Sequence, residues 1–392
     1  MPVYLDNAAT ANPKAPGVVE AMARSLGECN ANPGHGAHRL AVNAALAVFA
    51  AREELASLLG VADCRRLVFT AGATASLNQA IWGSLPADAH AICTAWEHNA
   101  VLRPLAAWRR RGGQLTVLPA PAGRLPTVDD VRRALTPRTR LVVLTAASNV
   151  TGALLDIQGI GQMLRERGVR LLVDGAQVAG HLPLALDDLP LDLWAAAGHK
   201  GLLGPQGVGL LYVAPGIELE PLLVGGQGFH SEEEEAPEEL PERLEAGTVN
   251  TPGILGLGAA ATHLRQRGLA ALRAHEVELM ARLCEGLARI PALEIHTARR
   301  PDLGVGVVSV RIAGWPSSVA AQVLDQEFGV LTRAGLHCAP RAHQALGTAP
   351  QGTVRFSTGP FSTADDVDTA LEAVAALAAR SERAMERVSS GV

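Results

Sequence analysis

Between Leu191 and Tyr212 the chain reads LDLWAAAGHKGLLGPQGVGLLY. This pattern predicts two apolar strands joined by a turn in which Lys200 has glycines on both sides. Because lysine is rarely buried without a partner, two interpretations are open. Lys200 is either a solvated loop charge or an amine kept partly desolvated so that it can form a Schiff base.

Upstream of this stretch, short apolar runs alternate with helical segments. Strands are predicted at 67–70, 91–94, 115–118, 141–145 and 169–173, and helices at 40–59, 100–111, 128–135 and 157–167. Such alternation predicts an α/β fold with a mostly parallel sheet flanked by helices. Downstream, a strand at 306–312 and helices near 276–290 and 364–388 predict a smaller α+β domain. We expect a large domain at 15–258 and a small domain formed by 1–14 and 259–392.

Composition excludes several classes of function. The chain has 392 residues, of which 48% are hydrophobic, enough for a large buried core. Aromatic residues make up 3% and the net charge is −5, which argues against a nucleic-acid partner. No apolar run approaches the length of about 20 residues that spans a bilayer, so no membrane partner is expected. The N-terminus resembles no signal peptide, and we expect a cytoplasmic protein.

Cysteine usage supports the same compartment. The five cysteines are scattered and odd in number, which is typical of a reducing compartment rather than of a disulfide framework. No CxxC pair is present, and no structural metal site is expected.

Polar residues follow the predicted strands at the point where each strand ends. In open α/β sheets, ligands bind beyond the carboxyl ends of the strands. Each of these residues has a local explanation as a turn or cap residue, but together they predict a site on one rim. They are Thr74, Glu97, His98, Asn99, Asn149, Asp174, Gln177, His199 and Lys200.

The segment FTAGATASLN favours an anion site. A strand, a small-residue turn ending at Ala73 and a helix opening at Thr74 leave free N–H groups for a phosphate. A simple helix cap by Thr74 is the alternative. Neither a Walker motif nor a dinucleotide motif is present.

These residues suit a phosphorylated pyridine aldehyde carried by Lys200, that is, pyridoxal 5'-phosphate. Asp174 can lie against the ring nitrogen and keep it protonated, which makes the ring an electron sink. His98 can cover the ring, and Gln177 can donate to its phenolic oxygen. The constellation favours the Schiff-base interpretation of Lys200.

Two residues of the C-terminal part add chemistry. Cys338 lies in a polar loop with His337 and Arg341, a setting in which thiols become reactive. A metal site in HCAPRAH lacks a carboxylate or a further cysteine. Arg355 can bind an amino-acid carboxylate, or it is a surface arginine on a strand.

The chain resembles the class V aminotransferase family of fold type I pyridoxal-phosphate enzymes, and within it the cysteine desulfurases and selenocysteine lyases with a short cysteine loop. The resemblance runs nearly end to end through YLDNAAT, NPGHGAH, FTAGATASLN, EHN, SNVTG, DGAQ, GHKGLLGPQGVGLLY, EAGTVNTPGI, RAGLHCAP and GTVRFSTG.

The resemblance implies a role for each candidate residue. Lys200 is the Schiff-base lysine, Asp174 and Gln177 contact the ring, and His98 stacks on it and carries protons. The phosphate is held by Ala73, Thr74 and His199, and by Thr248 of the other subunit of a homodimer. Substrate carboxylate is bound by Asn149 and Arg355, and Cys338 is the nucleophile that becomes a persulfide. Ala197 departs from the family, which often has a serine or threonine there.

The expected function is therefore conversion of L-cysteine to L-alanine, with sulfur passed from Cys338 to an acceptor protein. An aminotransferase, a selenocysteine or cystine lyase, and an inactive sulfur-transfer scaffold are the alternatives. The glycines of the Lys200 stretch (Gly201, Gly204, Gly207 and Gly209) are interpreted as letting the backbone approach the cofactor and the dimer partner.

Overall fold

The computed structural model describes residues 2–389 apart from 29, 35, 37, 227–233 and 299. The strands in this part of the chain are β1 (Val3–Tyr4), β2 (Leu67–Thr70), β3 (His90–Thr94), β4 (Gln114–Leu118), β5 (Thr139–Thr145), β6 (Arg170–Asp174), β7 (Leu193–Ala197), β8 (Gly209–Val213), β9 (Leu293–His296), β10 (Val307–Ile312), β11 (Val330–Leu331), β12 (Arg333–Gly335) and β13 (Thr353–Ser357). The α-helices are α1 (Val18–Glu28), α2 (Arg39–Leu59), α3 (Ala73–Ser84), α4 (Asn99–Arg109), α5 (Val128–Ala134), α6 (Ile157–Arg165), α7 (Thr251–Arg267), α8 (Leu269–Ala288), α9 (Ser317–Phe328), α10 (Pro340–Leu346) and α11 (Ala364–Ser389). None of these helices has the length and apolarity that crossing a membrane requires.

The central sheet has seven strands in the order β2-β8-β7-β6-β5-β3-β4. Neighbouring strands from β7 to β4 are parallel. Strand β8 is antiparallel to both β7 and β2 because it returns directly from the Lys200 turn, without a helical crossover. The predicted α/β fold with a mostly parallel sheet is confirmed.

The pair β7–β8 shows why the sheet consists of continuous apolar runs. Every residue of both strands is buried. Trp194 and Leu210 pack into the core on one face of the sheet, and Leu193 and Leu211 pack into the core on the other. Helices cover both faces, so successive side chains are apolar instead of alternating with polar ones.

A four-stranded antiparallel sheet, in the order β12-β13-β10-β9, packs with α8, α9 and α11 around a separate core. Strand β1 pairs in parallel with β11, and Leu5 packs in this same core. The domain boundaries expected at 14/15 and 258/259 stay a prediction. The second of them falls within α7.

Three local predictions are wrong. Helix α3 begins at Ala73 with Gly72 as its N-cap, so Thr74 lies inside the first turn. The segment RAGLHCAP is not a loop throughout, because strand β12 and α10 flank its cysteine turn. Helix α8 begins at Leu269, ahead of the helix predicted near 276, since Gly268 with a φ of 78° separates it from α7.

A buried ion pair joins α2 to the chain that leads to Thr248, at the edge of the central sheet. Arg52 on α2 binds Glu245 through two hydrogen bonds of 2.7 and 2.9 Å. Glu245 also accepts the N–H of Phe69 on β2 at 2.5 Å, and the Arg52 guanidinium lies 4.4 Å from the centre of the Phe69 ring. The pair therefore holds the chain that leads to Thr248 beside the end of β2.

Candidate active site

Lys200 follows β7 in the turn that leads to β8, and it is half-buried. Burial lowers the pKa of its amine to about 8. The carboxylate of Asp174 and the thiol of Cys338 oppose that shift, whereas the guanidinium groups of Arg355 and Arg333 add to it. The structure thus brings Asp174, Arg355 and Cys338 near enough to Lys200 for their charges to act on it, and their roles stay a prediction.

Asp174 is the last residue of β6 and is buried. Burial raises the pKa of its carboxyl, and the N–H of Ala176, which donates to Oδ1 at 3.0 Å, and the Lys200 charge act against that rise. Gln177 is also buried, and its amide donates to the carbonyl of Ala8 at 3.1 Å. Both residues therefore lie where the N-terminal segment covers the end of β6.

His98 is the N-cap of α4, and its Nδ1 accepts the N–H of Ala100 at 3.0 Å. Burial, followed by the charges of Lys200 and Arg333, lowers the pKa of His98 to about 4. The ring is neutral at physiological pH, and because Nδ1 accepts, its proton resides on Nε2.

The backbone before Lys200 is held from the N-terminal segment. The carbonyl of His199 accepts from the N–H of Ala11 at 2.9 Å, from Oγ1 of Thr10 at 3.1 Å and from Nζ of Lys14 at 3.0 Å. Burial lowers the pKa of His199 to about 4, and its buried Nδ1 has no hydrogen-bond partner among the described residues.

The predicted anion site lies at the start of α3. Its N-cap Gly72 has a φ of 143° and provides no side-chain cap, so the first N–H groups of the helix are not satisfied by a capping side chain. Thr74 is exposed in this first turn. A cavity of about 330 Å³ beside it is lined by Ala71, Ala75 and Thr248 among others. Thr248 is exposed and accepts from the amide of Asn32 at 3.3 Å.

Arg355 on β13 is 1% exposed. Its Nη2 donates to Oδ1 of Asp6 at 2.9 Å, and its Nη1 donates to the carbonyl of Asn149 at 3.1 Å. Nε is buried without a partner among the described residues. The interpretation of Arg355 as a surface arginine is therefore wrong.

Cys338 lies in a turn between β12 and α10, where it and His337 have φ angles of 59° and 47°. Contacts from three directions hold this turn. The amide of Asn149 donates to the carbonyl of His337 at 2.6 Å, and the N–H of Asn99 donates to the carbonyl of Cys338 at 2.7 Å. The imidazole Nε2 of His337 lies 3.0 Å from Oγ1 of Thr353, and Nη2 of Arg333 lies 3.7 Å from the sulfur of Cys338.

Glu97 is one of the residues that the sequence predicts on the rim, but the sequence indicates no role for it. Its side chain is fully buried, and Oγ1 of Thr94 donates to it at 2.6 Å. Burial first, and then the nearby charge of Asp174, raises the pKa of Glu97 to about 8. Its position directly after a buried strand predicts the rim, and the structure adds that its carboxyl is buried there.

The glycines of the Lys200 stretch approach other parts of this chain. A Cβ at Gly201 would collide with Ala179 and His181, one at Gly204 with Leu257, and one at Gly209 with Gly72. Close packing within this chain therefore accounts for Gly201, Gly204 and Gly209, whereas Gly207 has space around it and a φ of 78°. The contacts of these glycines with the cofactor and the dimer partner stay a prediction.

Comparisons with known proteins agree with this geometry. The family model described as aminotransferase class-V matches residues 3–370. Cysteine desulfurase CsdA of Escherichia coli is 34% identical over 386 residues, which cover 95% of this chain and 93% of that protein. A probable cysteine desulfurase of Methanothermobacter thermautotrophicus is 32% identical over 371 residues, covering 93% and 92%. The apo structure of a cysteine desulfurase from Thermococcus onnurineus superposes with a TM-score of 0.88 at 29% identity, covering 96% of this chain and 94% of that one.

Proposed function

The chain belongs to the class V aminotransferase family, and we propose that it is a pyridoxal-phosphate-dependent cysteine desulfurase in which Cys338 receives the sulfur. It converts L-cysteine to L-alanine. The observation that carries the proposal is that the turn of Cys338, from the C-terminal part of the chain, is bonded to residues of the rim: the N–H of Asn99 donates to the carbonyl of Cys338 at 2.7 Å, and the amide of Asn149 donates to that of His337 at 2.6 Å.

The residues around Lys200 fit the cofactor. His199 has a buried ring nitrogen without a partner among the described residues, and the first turn of α3 has free N–H groups for a phosphate. Lys200 would hold the cofactor through its amine, Asp174 would face the ring nitrogen, and His98 and Gln177 would contact the ring. When bound, pyridoxal 5'-phosphate withdraws electrons from the substrate and so allows its Cα–H and Cβ–S bonds to break.

Arg355 and Asn149 would bind the substrate carboxylate. The guanidinium of Arg355 is immobilised by Asp6 and by the carbonyl of Asn149, which leaves the buried Nε–H as a donor. A fixed guanidinium loses little conformational freedom when a carboxylate binds. The amide of Asn149 already donates one hydrogen to His337, so its second N–H is the one available to substrate.

Lys200 and His98 differ in what they can do near pH 7. With a pKa of about 8, a fraction of the Lys200 amine is neutral and can accept a proton. His98 is neutral and has its hydrogen on Nε2, so it can donate a hydrogen bond there but is not a general acid. Lys200 is therefore the proton acceptor of the site, and His98 is a hydrogen-bond donor beside it.

Cys338 attacks the substrate sulfur as a thiolate, and the neighbouring Arg333 guanidinium stabilises its charge. An S–S bond forms between Cys338 and the substrate sulfur, and the Cβ–S bond of the substrate breaks. The released Cβ takes up one proton and becomes the methyl group of alanine. Cysteine and the Cys338 thiol thus yield alanine and a Cys338 persulfide, with no external oxidant or reductant.

The proposal includes a cytoplasmic homodimer that passes its persulfide sulfur to an acceptor protein. Exposed apolar residues on one face of α2, namely Val42, Leu46 and Phe49, support a subunit interface, as do Leu223 and Val224. The exposure of Thr248 supports its role at the phosphate of the other subunit. The half-exposed thiol of Cys338 supports transfer to a second protein, and the free state of the four described cysteines supports a reducing compartment.

The test is mass spectrometry of Cys338 after purified holoenzyme is incubated with L-cysteine. We expect one added sulfur atom on Cys338 and an equivalent amount of alanine. The Cys338→Ser variant should bind cofactor normally but form neither persulfide nor alanine at the wild-type rate. Full sulfur transfer by this variant, or pyruvate and ammonia as products, would overturn the proposal.

A further inference from the structure

Lysine occurs at just two positions of this sequence. Lys14 and Lys200 are the lysines, and the remaining cations among the 34 lysines and arginines are arginines. The two lysines meet in the structure, because Nζ of Lys14 donates to the backbone carbonyl of His199, the residue before Lys200. A chain that otherwise uses arginine therefore has its second lysine directly beside the first.

The carbonyl that Lys14 binds is restrained to an unusual degree. It accepts from Lys14, from the hydroxyl of Thr10 and from the N–H of Ala11, all within 3.1 Å. A carbonyl oxygen has two lone pairs, so three donors saturate it. These donors come from one short segment of the chain, which is far in sequence from the Lys200 turn.

A lysine fits this position better than an arginine. The half-buried ammonium of Lys14 bonds both His199 and Oγ1 of Thr10, at 3.0 and 3.1 Å. An ammonium is a compact group with three rotatable donors and can serve two oxygens on different sides. A planar guanidinium is larger and presents its donors in a fixed fork.

We propose that Lys14 is a positioning residue that fixes the peptide group ahead of Lys200. The side chain of Lys200 has to be released and rebound in every turnover if the proposed function is correct, so it cannot itself anchor the turn. Lys14 supplies an anchor that stays in place throughout. Since small displacements of reacting groups slow catalysis strongly, this anchor acts on the chemical step more than on substrate binding.

The first test measures backbone hydrogen exchange in residues 198–203 of the holoenzyme and of the cofactor-free protein. Lys14→Met keeps the length of the side chain but removes its donors. We expect exchange there to be faster in Lys14→Met in both forms, by about tenfold, the size of one hydrogen bond to a charged group. Lys14→Arg, which retains charge and donors but presents them in a fixed fork, should restore only part of the protection. Unchanged exchange in Lys14→Met would overturn the proposal, whether or not the protein proves to be a desulfurase.

The second test compares kinetic constants with a matched control. Lys14→Met should lower kcat for alanine formation on the order of tenfold and leave KM for L-cysteine within about twofold. Arg243→Met removes another half-buried cation that donates to a backbone carbonyl, that of Leu219 at 3.1 Å, and should change neither constant. If the two substitutions had equal effects on kcat and KM, Lys14 would only stabilise the fold, and the proposal would be wrong. A wild-type enzyme that forms no Cys338 persulfide would instead refute the proposed function and leave the exchange result to decide the role of Lys14.

The titration of Lys200 can also be compared in the two proteins. Labelling by an amine-selective reagent, read at the Lys200 peptide by mass spectrometry so that the α-amino group and Lys14 do not contribute, should have its midpoint near pH 8 in the cofactor-free variant and in the wild type. A displaced midpoint would show that Lys14 acts through its charge, contrary to the proposal.

Discussion

Arg333 and Arg355 lie directly opposite each other on the antiparallel strands β12 and β13. Opposed residues of such a pair project from the same face of the sheet, and like charges in these positions are destabilising. The two arginines have different partners: Arg355 is bound to Asp6, whereas Arg333 approaches the sulfur of Cys338. If the proposed function is correct, this one cross-strand pair serves both the substrate carboxylate and the thiol.

This division predicts different kinetic effects for the two arginines. Arg355→Gln should raise KM for L-cysteine about 10- to 100-fold, because a hydrogen bond to the substrate carboxylate is lost. Arg333→Gln should lower the rate of persulfide formation on Cys338 and leave KM nearly unchanged. Steady-state kinetics with alanine detection and single-turnover mass spectrometry measure the two quantities. Arg311→Gln, at an exposed ion pair on the adjacent strand β10, is the control and should change neither.

Glu97 predicts a pH dependence of stability. Burial raises the pKa of this carboxyl from 4.5 to about 8, so the folded protein retains a proton that the unfolded chain releases. The stability that Glu97 contributes is fully present below pH 4.5 and is lost as the pH rises through about 8. Over this range the free energy of unfolding should fall by up to about 1.4 kcal/mol per pH unit. Glu97→Gln has the shape of the protonated carboxyl group but does not titrate, so it should remove this slope. Urea unfolding of cofactor-free protein across that range measures it, and parallel curves for the two proteins would contradict the prediction.

The cysteine turn predicts an unusual ranking of substitutions at His337. Glycine would relieve the positive φ of 47° at this position but would remove the imidazole that bonds Thr353. If the imidazole anchors the turn, His337→Gly should slow persulfide formation on the order of 100-fold. His337→Gln, whose amide can replace Nε2, should lose less.

Substitution of Thr353, the hydrogen-bond partner of His337, tests the same anchor. Thr353→Val should slow persulfide formation in the same direction as His337→Gly. Thr139→Val, which removes a comparable bond to the buried His90 far from the cysteine turn, should not. A His337→Gly enzyme as fast as the wild type would show that backbone conformation alone positions Cys338.

Removing one member of the Arg52–Glu245 ion pair should cause a large loss of stability. Arg52→Met leaves the Glu245 carboxylate buried without its partner and should lower the free energy of unfolding by about 3 to 5 kcal/mol. Arg65→Met, at the exposed pair with Asp63, should cost no more than about 1 kcal/mol. Denaturant unfolding of the two variants compares them. Equal losses would mean that burial of the first pair has no energetic consequence.

The central sheet could be predicted because its signals are local. Apolar runs of strand length alternate with helical segments, and the carboxyl ends of parallel strands share one edge, so Asp174 and Lys200 were placed together from sequence alone. Contacts between distant segments have no such signal. The bond from Lys14 to His199 and the pairing of Arg333 with Arg355 depend on how the N-terminal and C-terminal parts pack on the sheet. The sequence predicts Glu97 on the rim but no role for it, because a carboxylate after a strand is usually a turn residue and only the structure reveals that this one is buried.

Strand β12 is the edge of the four-stranded sheet, and the cysteine turn is the short connection from that edge to α10. Residues inserted after Gly335 and before Pro340 would extend away from the sheet without changing its register. The entropic cost of a longer loop grows slowly, by about 0.6 kcal/mol for each doubling of length. The distance over which the thiol can deliver sulfur is thus adjustable through chain length alone, while the residues that activate the substrate stay fixed on the large sheet. The distance that the thiol can cover and the chemistry of the residues on the large sheet can therefore change independently.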